Sequence, residues 1–396
     1  MAIKLFFGNV KGGVGKTTIT DMTAYILATQ YNQRVLVIDC DHQGDSTDFF
    51  CDYFNIDLGM EQGQHGSMFT IYDAIQDYAK NNNPEAIHKA IVPVTDSLSF
   101  IPANSLLEEF STFLSRMKTT ESIQGTTYIR NVLETIEDDY DFILFDIPPS
   151  AGHLVTNVII ASDFYVGIMS TEKKAFRKLQ PFFDMCNEHS VRAQQFLQDY
   201  DVAQNLGVVM YFVTQNLQEE KYVADAAQDF FGDLIFDSKI RRADVVREHE
   251  RMPSLFFEDT EENHDFLQMF EEVTQELLIR MQALPEDTVR VATQEILMPL
   301  QEYFTDEQLF RLKEAIEGKG LQNIESLRLR GYKSSDPRKT LQTHMIRLFT
   351  GSKDNEALFE QQFIQLEKWL AKEPTAYSIS AMQRLIRKHR KALEIV

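Results

Sequence analysis

The feature that most constrains this chain lies at its start, where an apolar run passes directly into a glycine-rich loop. Ile3–Phe7 is typical of a buried strand, and a helical pattern ending near Thr29 lies just beyond the loop. The loop itself reads Lys11-Gly12-Gly13-Val14-Gly15-Lys16-Thr17-Thr18. Glycines let backbone N–H groups converge on phosphate oxygens, and a helix start adds unpaired N–H groups. A strand, such a loop and a helix in succession predict a phosphate-binding loop.

Individual loop residues suit a nucleoside triphosphate with its metal ion. Lys16 is expected to neutralise the β and γ phosphates of ATP, and the Thr17 hydroxyl to ligate Mg²⁺. Thr18 adds one polar donor. The generic pattern has glycine where Val10 stands and no second lysine, and Lys11 taken by itself could be an exposed, solvated side chain.

The first 260 residues alternate short apolar runs with longer helical patterns, which is typical of a parallel sheet covered by helices. The predicted fold class is α/β: a doubly wound, mostly parallel sheet with helices on both faces, followed by an α-helical C-terminal domain. A Pro-containing connection around Pro285 predicts an ATPase-type domain at 1–280 and a helical domain at 281–396. Strands are predicted at Ile3–Gly8, Arg34–Asp39, Leu98–Ile101, Phe142–Asp146, Phe164–Ser170 and Leu206–Val213.

Charge and composition narrow the functional classes. The net charge is −21, but residues 1–260 carry 20 basic and 38 acidic residues whereas residues 328–396 carry 14 basic and 7 acidic ones. The body is therefore acidic and the tail basic. No apolar run approaches a membrane span and no signal peptide is visible, which predicts a cytoplasmic protein. Three scattered cysteines predict reduced thiols and no metal cluster.

Two further segments place carboxylates after apolar strands. Arg34–Asp39 leads into Cys40-Asp41-His42-Gln43-Gly44-Asp45, and Phe142–Asp146 leads into Ile147-Pro148-Pro149-Ser150. Carboxylates at the C-terminal ends of strands beside a phosphate loop lie where nucleotide chemistry occurs. Asp146 is expected to reach Mg²⁺, Asp41 to orient the attacking water, and Asp39 to support the loop or the magnesium site. The alternative for Asp39 and Asp41 is a pair of turn aspartates.

These motifs together resemble the ParA/MinD family of deviant-Walker P-loop ATPases over about residues 1–260, and the ParA branch in particular. The resemblance implies a homodimer in the ATP state, in which Lys11 reaches the phosphates bound by the partner. It also implies slow, partner-stimulated hydrolysis. The family often has Asn or Thr where Tyr211 stands, so no residue is assigned to the adenine.

In ParA proteins the closed dimer binds DNA without sequence preference and responds to a DNA-bound, ParB-like adaptor. The resemblance therefore implies partition or positioning of plasmid or chromosomal DNA, and association with the nucleoid. The matching stretch carries Arg241, Arg242, Arg247 and Arg251. These arginines alternate with acidic residues, so a solvated helical face is the alternative.

Other functions stay open at this stage. A basic helix after Ser380 could pack on its own domain, bind nucleic acid or lie on an acidic membrane. The last case corresponds to a MinD-like ATPase that positions a protein cargo, but the helix lacks Trp and Phe, so membrane association is not expected. A metabolic or redox P-loop enzyme is the third possibility, and neither cluster-ligating cysteines nor a second substrate site is visible for it.

Overall fold

The structure is a computed structural model that describes residues 2–59, 68–117, 123–197, 200–213, 218–241, 261–281 and 305–317, with residues 360, 363, 364, 366 and 367. The chain divides into two compact units, Met1–Thr274 and Gln275–Val396. The predicted domain boundary at residue 280 stays a prediction, because contacts within a chain do not show that either part folds alone.

In the described residues of the first unit, eight strands form one sheet in the order β3-β4-β2-β5-β1-β6-β7-β8. All neighbours pair in parallel except β3 and β4, which are antiparallel. The strands are β1 Ile3–Gly8, β2 Val35–Asp39, β3 Val92–Pro93, β4 Leu98–Ile101, β5 Phe142–Asp146, β6 Phe164–Ser170, β7 Gln204–Val213 and β8 Ile235–Arg241.

The central strands are continuous apolar runs because helices cover both of their faces. Every residue of β2, β5 and β6 is buried. The register between β2 and β5 sets Asp39 opposite Asp146 at the C-terminal edge of the sheet. Two strands that are far apart along the chain thus place their last residues, both aspartates, side by side.

Helices alternate with the strands along the chain, and α1 packs against β1, β2 and β5. Among the described residues of the first unit, the α-helices are α1 Lys16–Thr29, α2 Asp45–Phe54, α3 Ile71–Asn81, α4 Phe110–Arg116, α5 Tyr128–Leu133, α6 His153–Ala161, α7 Lys173–Gln194 and α8 Gln218–Phe231. The next helix in the described part of the chain, α9 Glu261–Met281, begins in the first unit and ends in the second.

In the second unit, the end of α9 is followed in the described part of the chain by helix α10 Asp306–Glu317. A capping box stabilises its start: Thr305 N donates to Gln308 Oε1 at 3.0 Å, and Gln308 N donates to Thr305 Oγ1 at 3.3 Å. Arg311 pairs with Glu360 at 2.9 Å and also with Glu367. The basic helix after Ser380 lies outside the described residues. Within the described part of the chain, no helix is long and apolar enough to cross a membrane.

The predicted fold class is confirmed, including the six predicted strands. Two strands near the sheet edges were missed. β3 has two residues, too few to form a pattern, and β8 interrupts its apolar positions with Asp237 and Lys239. An edge strand pairs on one side only and carries polar residues more readily than a central strand does.

Candidate functional site

The phosphate loop joins the end of β1 to the start of α1. Gly13 and Gly15 have positive φ angles of 67° and 84°, which L-residues with a Cβ rarely adopt. A Cβ on Gly15 would also lie 2.3 Å from the ring of Tyr211, which is fully buried beneath the loop. The first turn of α1 carries no acidic residue and no side-chain cap. Its N–H groups and positive dipole end therefore suit an anion.

Lys16 is 7% exposed and lies among carboxylates. Burial lowers its pKa, and the charges of Asp146, Asp41 and Asp45 oppose that effect. A buried lysine at the start of a helix suits a polyphosphate, because the lysine and the backbone N–H groups stabilise the negative charge that the phosphates bring.

Thr17 and Asp146 form the part of the site that fits a magnesium ion. Thr17 Oγ1 donates to Asp146 Oδ2 at 2.8 Å. Asp146 is fully buried, and its Oδ1 has no hydrogen-bond partner among the described residues. Burial raises the pKa of Asp146 well above its ordinary value, and the charge of Asp39 raises it further. A hydroxyl and a carboxylate with a spare buried oxygen are ligands that Mg²⁺ prefers.

Asp39 and Asp41 shape the loop between β2 and α2. Asp39 Oδ1 accepts from Asp41 N at 3.0 Å, and its Oδ2 accepts from Thr47 N and Oγ1 at 2.9 and 2.7 Å. Burial raises the pKa of Asp39 to about 7. Both of its oxygens are thus occupied within the chain, which favours loop support over a magnesium role. Asp41 is 6% exposed and accepts from Gln43 N at 3.1 Å.

Lys11 forms an ion pair on the other side of the loop. Its Nζ lies 2.9 Å from Glu172 Oε2, just after β6, and the two side chains are 21% and 60% exposed. Asn9 fixes the approach to this lysine: its Nδ2 donates to Ile168 O at 2.8 Å and its Oδ1 accepts from Lys11 N at 3.0 Å. Lys11 is therefore held by its own chain, through Glu172 and Asn9.

The structure brings together most of the predicted site residues. Lys16, Thr17, Asp41 and Asp146 gather at one edge of the sheet, and Thr18 is half-buried next to them in α1. Of the predicted DNA contacts, Arg241 is exposed at the end of β8. Arg242, Arg247 and Arg251 lie outside the described residues, so the DNA assignment stays a prediction.

Three residues beside the site were not found from the sequence. Glu172 pairs with Lys11, and Asp21 accepts a hydrogen bond from Ser46. Each partner is distant along the chain, and neither Glu172 nor Asp21 belongs to the motifs described above. Tyr211 was noticed only as a departure from the family pattern. Its position under Gly15 shows that this part of β7 supports the phosphate loop.

Comparison with known proteins gives independent support for the family and the fold. The profile of a family described as AAA domain matches residues 3–249. The sporulation initiation inhibitor protein Soj of Bacillus subtilis (strain 168) is 27% identical over 234 residues, which cover 59% of this chain and 82% of Soj.

Solved structures share the fold. A putative plasmid partition protein from Borrelia burgdorferi B31, bound to AMPPNP, matches with a TM-score of 0.52 and 20% identity over 70% of this chain and 98% of its own. Cobyrinic acid a,c-diamide synthase from Mycobacterium smegmatis, with a bound ATP analogue and magnesium, matches with a TM-score of 0.53 and 20% identity over 70% and 94%. Because a partition protein and a synthase match equally well, the fold alone does not choose the reaction.

Proposed function

The chain belongs to the ParA/MinD family of P-loop ATPases, and from that premise we propose that it is a slow ATPase that positions DNA. ATP closes two copies into a homodimer, and the closed homodimer binds DNA without sequence preference. Hydrolysis, stimulated by a DNA-bound adaptor of the ParB kind, releases it. The family is one of P-loop ATPases, and the cycle is our proposal.

One observation carries the proposal: Lys16, Thr17, Asp41 and Asp146 converge at the start of α1, which has no side-chain cap. Phosphoryl transfer depends on positioning and on stabilisation of negative charge. In the proposed reaction Lys16 stabilises the charge on the β and γ phosphates, and Asp41 orients the water that attacks the γ-phosphate. Thr17 and Asp146 would hold Mg²⁺, which neutralises phosphate charge when it is bound.

Lys11 supplies the part of the site that one chain lacks. In the proposed dimer it leaves Glu172 and contacts the phosphates bound by the partner. Support for this role comes from the position of Lys11 at the loop's start and from the exposure of its ion pair, which solvent and phosphate can reach. An exposed pair is weak, so exchange for a polyphosphate is energetically accessible.

The choice of DNA as the cargo rests on the relatives and on local charge. Soj and the Borrelia plasmid partition protein are named for sporulation control and plasmid partition, respectively. Arg241 and the arginines that follow it would supply a local basic patch. Nonspecific DNA binding needs only such a patch, and binding of this kind weakens steeply with salt.

A membrane-associated ATPase for a protein cargo and a synthase are the rival functions. The first depends on the basic helix after Ser380, and the second on the likeness to the cobyrinic acid synthase. DNA retardation at two salt concentrations, together with co-sedimentation with anionic liposomes, separates the first from our proposal. Retardation that requires ATP and declines with salt supports DNA positioning, whereas ATP-dependent liposome binding without retardation contradicts it.

Three variants test the proposed site by analytical ultracentrifugation and phosphate release. We expect Lys16→Ala to abolish nucleotide binding. Lys11→Ala should bind ATP as a monomer and neither dimerise nor hydrolyse it. Asp41→Ala should form an ATP-bound dimer that hydrolyses slowly. A Lys11→Ala dimer as stable as that of the wild type would contradict the role of Lys11 across the interface.

A further inference from the structure

A buried aspartate on α1 takes no part in the chemistry proposed above. Asp21 is 0% exposed and stands one helical turn beyond Thr17, so the two side chains lie on the same face of the helix. Its Oδ1 accepts a hydrogen bond from Ser46 Oγ at 2.6 Å. Its Oδ2 has no hydrogen-bond partner in the described part of the chain. Burying a carboxyl group with an unpaired oxygen costs stability, so its presence in α1 needs an explanation.

Ser46 connects Asp21 to the loop that carries Asp41. Ser46 lies in the first turn of α2, which begins directly after that loop. The next residue, Thr47, donates from its N–H and its hydroxyl to Asp39 at the end of β2. The first turn of α2 is therefore attached on two sides, to β2 through Thr47 and to α1 through Ser46.

The surroundings of Asp21 favour its neutral form. Burial raises the pKa of Asp21 well above its ordinary value, and the charge of Asp146 raises it further, while the hydrogen bond from Ser46 opposes both. A neutral carboxyl group offers Ser46 the same acceptor oxygen that asparagine would offer. Leucine would fill similar space and leave the Ser46 hydroxyl buried without this acceptor.

We propose that Asp21 is a positioning residue for ATP hydrolysis, whose link to Ser46 fixes the Asp41 loop relative to the phosphate loop. This inference rests on the proposed function, because it takes Asp41 as the group that orients the attacking water. The helix that bears Asp21 starts at Lys16, so a movement of the phosphate loop passes along α1 to Asp21 and then to α2. The buried hydrogen bond between Ser46 and Asp21 thus links the phosphate loop to the Asp41 loop, and both loops act on the γ-phosphate in the proposed reaction.

The test measures kcat and KM for Mg-ATP with the full chain. Asp21→Leu and Ser46→Ala should each lower kcat about 10-fold to 100-fold with little change in KM, since misplacing a catalytic group by ~1 Å has effects of that size. The double variant should fall no further than the single variants, because both changes remove one link. Asp21→Asn should restore the kcat that Asp21→Leu loses.

Thr23→Val is the matched control. Thr23 is buried on the same helix, and its Oγ1 has no hydrogen-bond partner among the described residues, so this variant should keep the wild-type kcat. A purely structural role for Asp21 predicts a lower melting temperature with an unchanged kcat per folded molecule. That result overturns the inference, and so does a double variant whose losses add in full. Should Asp21→Leu fail to fold, Ser46→Ala carries the test, because it removes only a hydroxyl.

If the wild-type chain hydrolyses no ATP, the proposed function is contradicted. The position of the Asp41 loop can still be measured directly. Amide hydrogen exchange over residues 41–48 makes that measurement without nucleotide. The inference expects faster exchange in Ser46→Ala and Asp21→Leu than in the wild type and Thr23→Val. Equal exchange in all four proteins overturns it.

Discussion

The ion pair between Lys11 and Glu172 makes a quantitative prediction about dimerisation. If Lys11 must leave Glu172 to reach the partner's phosphates, Glu172→Gln should strengthen the ATP-bound dimer. An ion pair with its carboxylate 60% exposed contributes about 0.2–1 kcal/mol. Two such pairs break when a symmetric dimer closes, so the variant should gain about 0.4–2 kcal/mol, a roughly 2-fold to 30-fold lower dimer dissociation constant.

Sedimentation velocity across a protein concentration series, with Mg²⁺ and a non-hydrolysable ATP analogue, measures this constant directly. Glu188→Gln is the control, since Glu188 is exposed on the same helix and its substitution removes the same charge about 24 Å further along. The gain for Glu172→Gln should shrink as salt rises, because exposed ion pairs are screened.

A dimer of Glu172→Gln that is weaker than that of Glu188→Gln would refute this reasoning. It would mean that Glu172 binds the nucleotide or the partner in the closed state, and that its pair with Lys11 does not oppose closure. Equal constants for the two variants would mean that Lys11 leaves Glu172 without measurable cost, and the range of 2-fold to 30-fold would then be wrong.

Further predictions concern the phosphate loop and pH. Gly15→Ala should abolish binding of a fluorescent ATP analogue, because the new Cβ would clash with Tyr211 and the φ of residue 15 is positive. Gly13 has open space around it, so Gly13→Ala should weaken binding of the analogue less. Equal effects of the two variants would contradict this prediction. A second prediction concerns Asp39 in the absence of nucleotide and magnesium. Because its pKa is raised from 3.8 to about 7 in the folded state, the folded protein binds more protons than the unfolded protein between these pH values. The free energy of unfolding should therefore fall as pH rises through this range. Melting temperatures at pH 5 and 7.5 measure this, and Asp39→Asn should reduce the difference.

The sequence predicted the centre of the sheet because each central strand is an uninterrupted apolar run that ends at a polar turn. β2 and β5 are of this kind, and their terminal aspartates were identified from that pattern alone. The phosphate loop was predictable for a similar reason, since all of its donors lie in one short segment. Local order along the chain sufficed for both features.

Contacts between distant segments could not be predicted in this way. Glu172 lies 161 residues from Lys11, and Ser46 lies 25 residues from Asp21. Neither pair repeats with a helix or strand period, so no pattern in the sequence signals it. The position of Tyr211 under Gly15 likewise depends on how β7 packs beside β6, which is a property of the assembled sheet.

The strand order divides the proposed functions of the site between two sides of β1. On one side, β5 and β2 end at Asp146 and Asp39, next to the loop of Asp41, and we propose that these residues serve hydrolysis. On the other side, β6 leads to Glu172, which holds Lys11, and we propose that these residues serve closure of the dimer. The phosphate loop lies between them because β1 lies between β5 and β6. Substitutions on the first side should therefore change kcat, and those on the second side should change dimerisation.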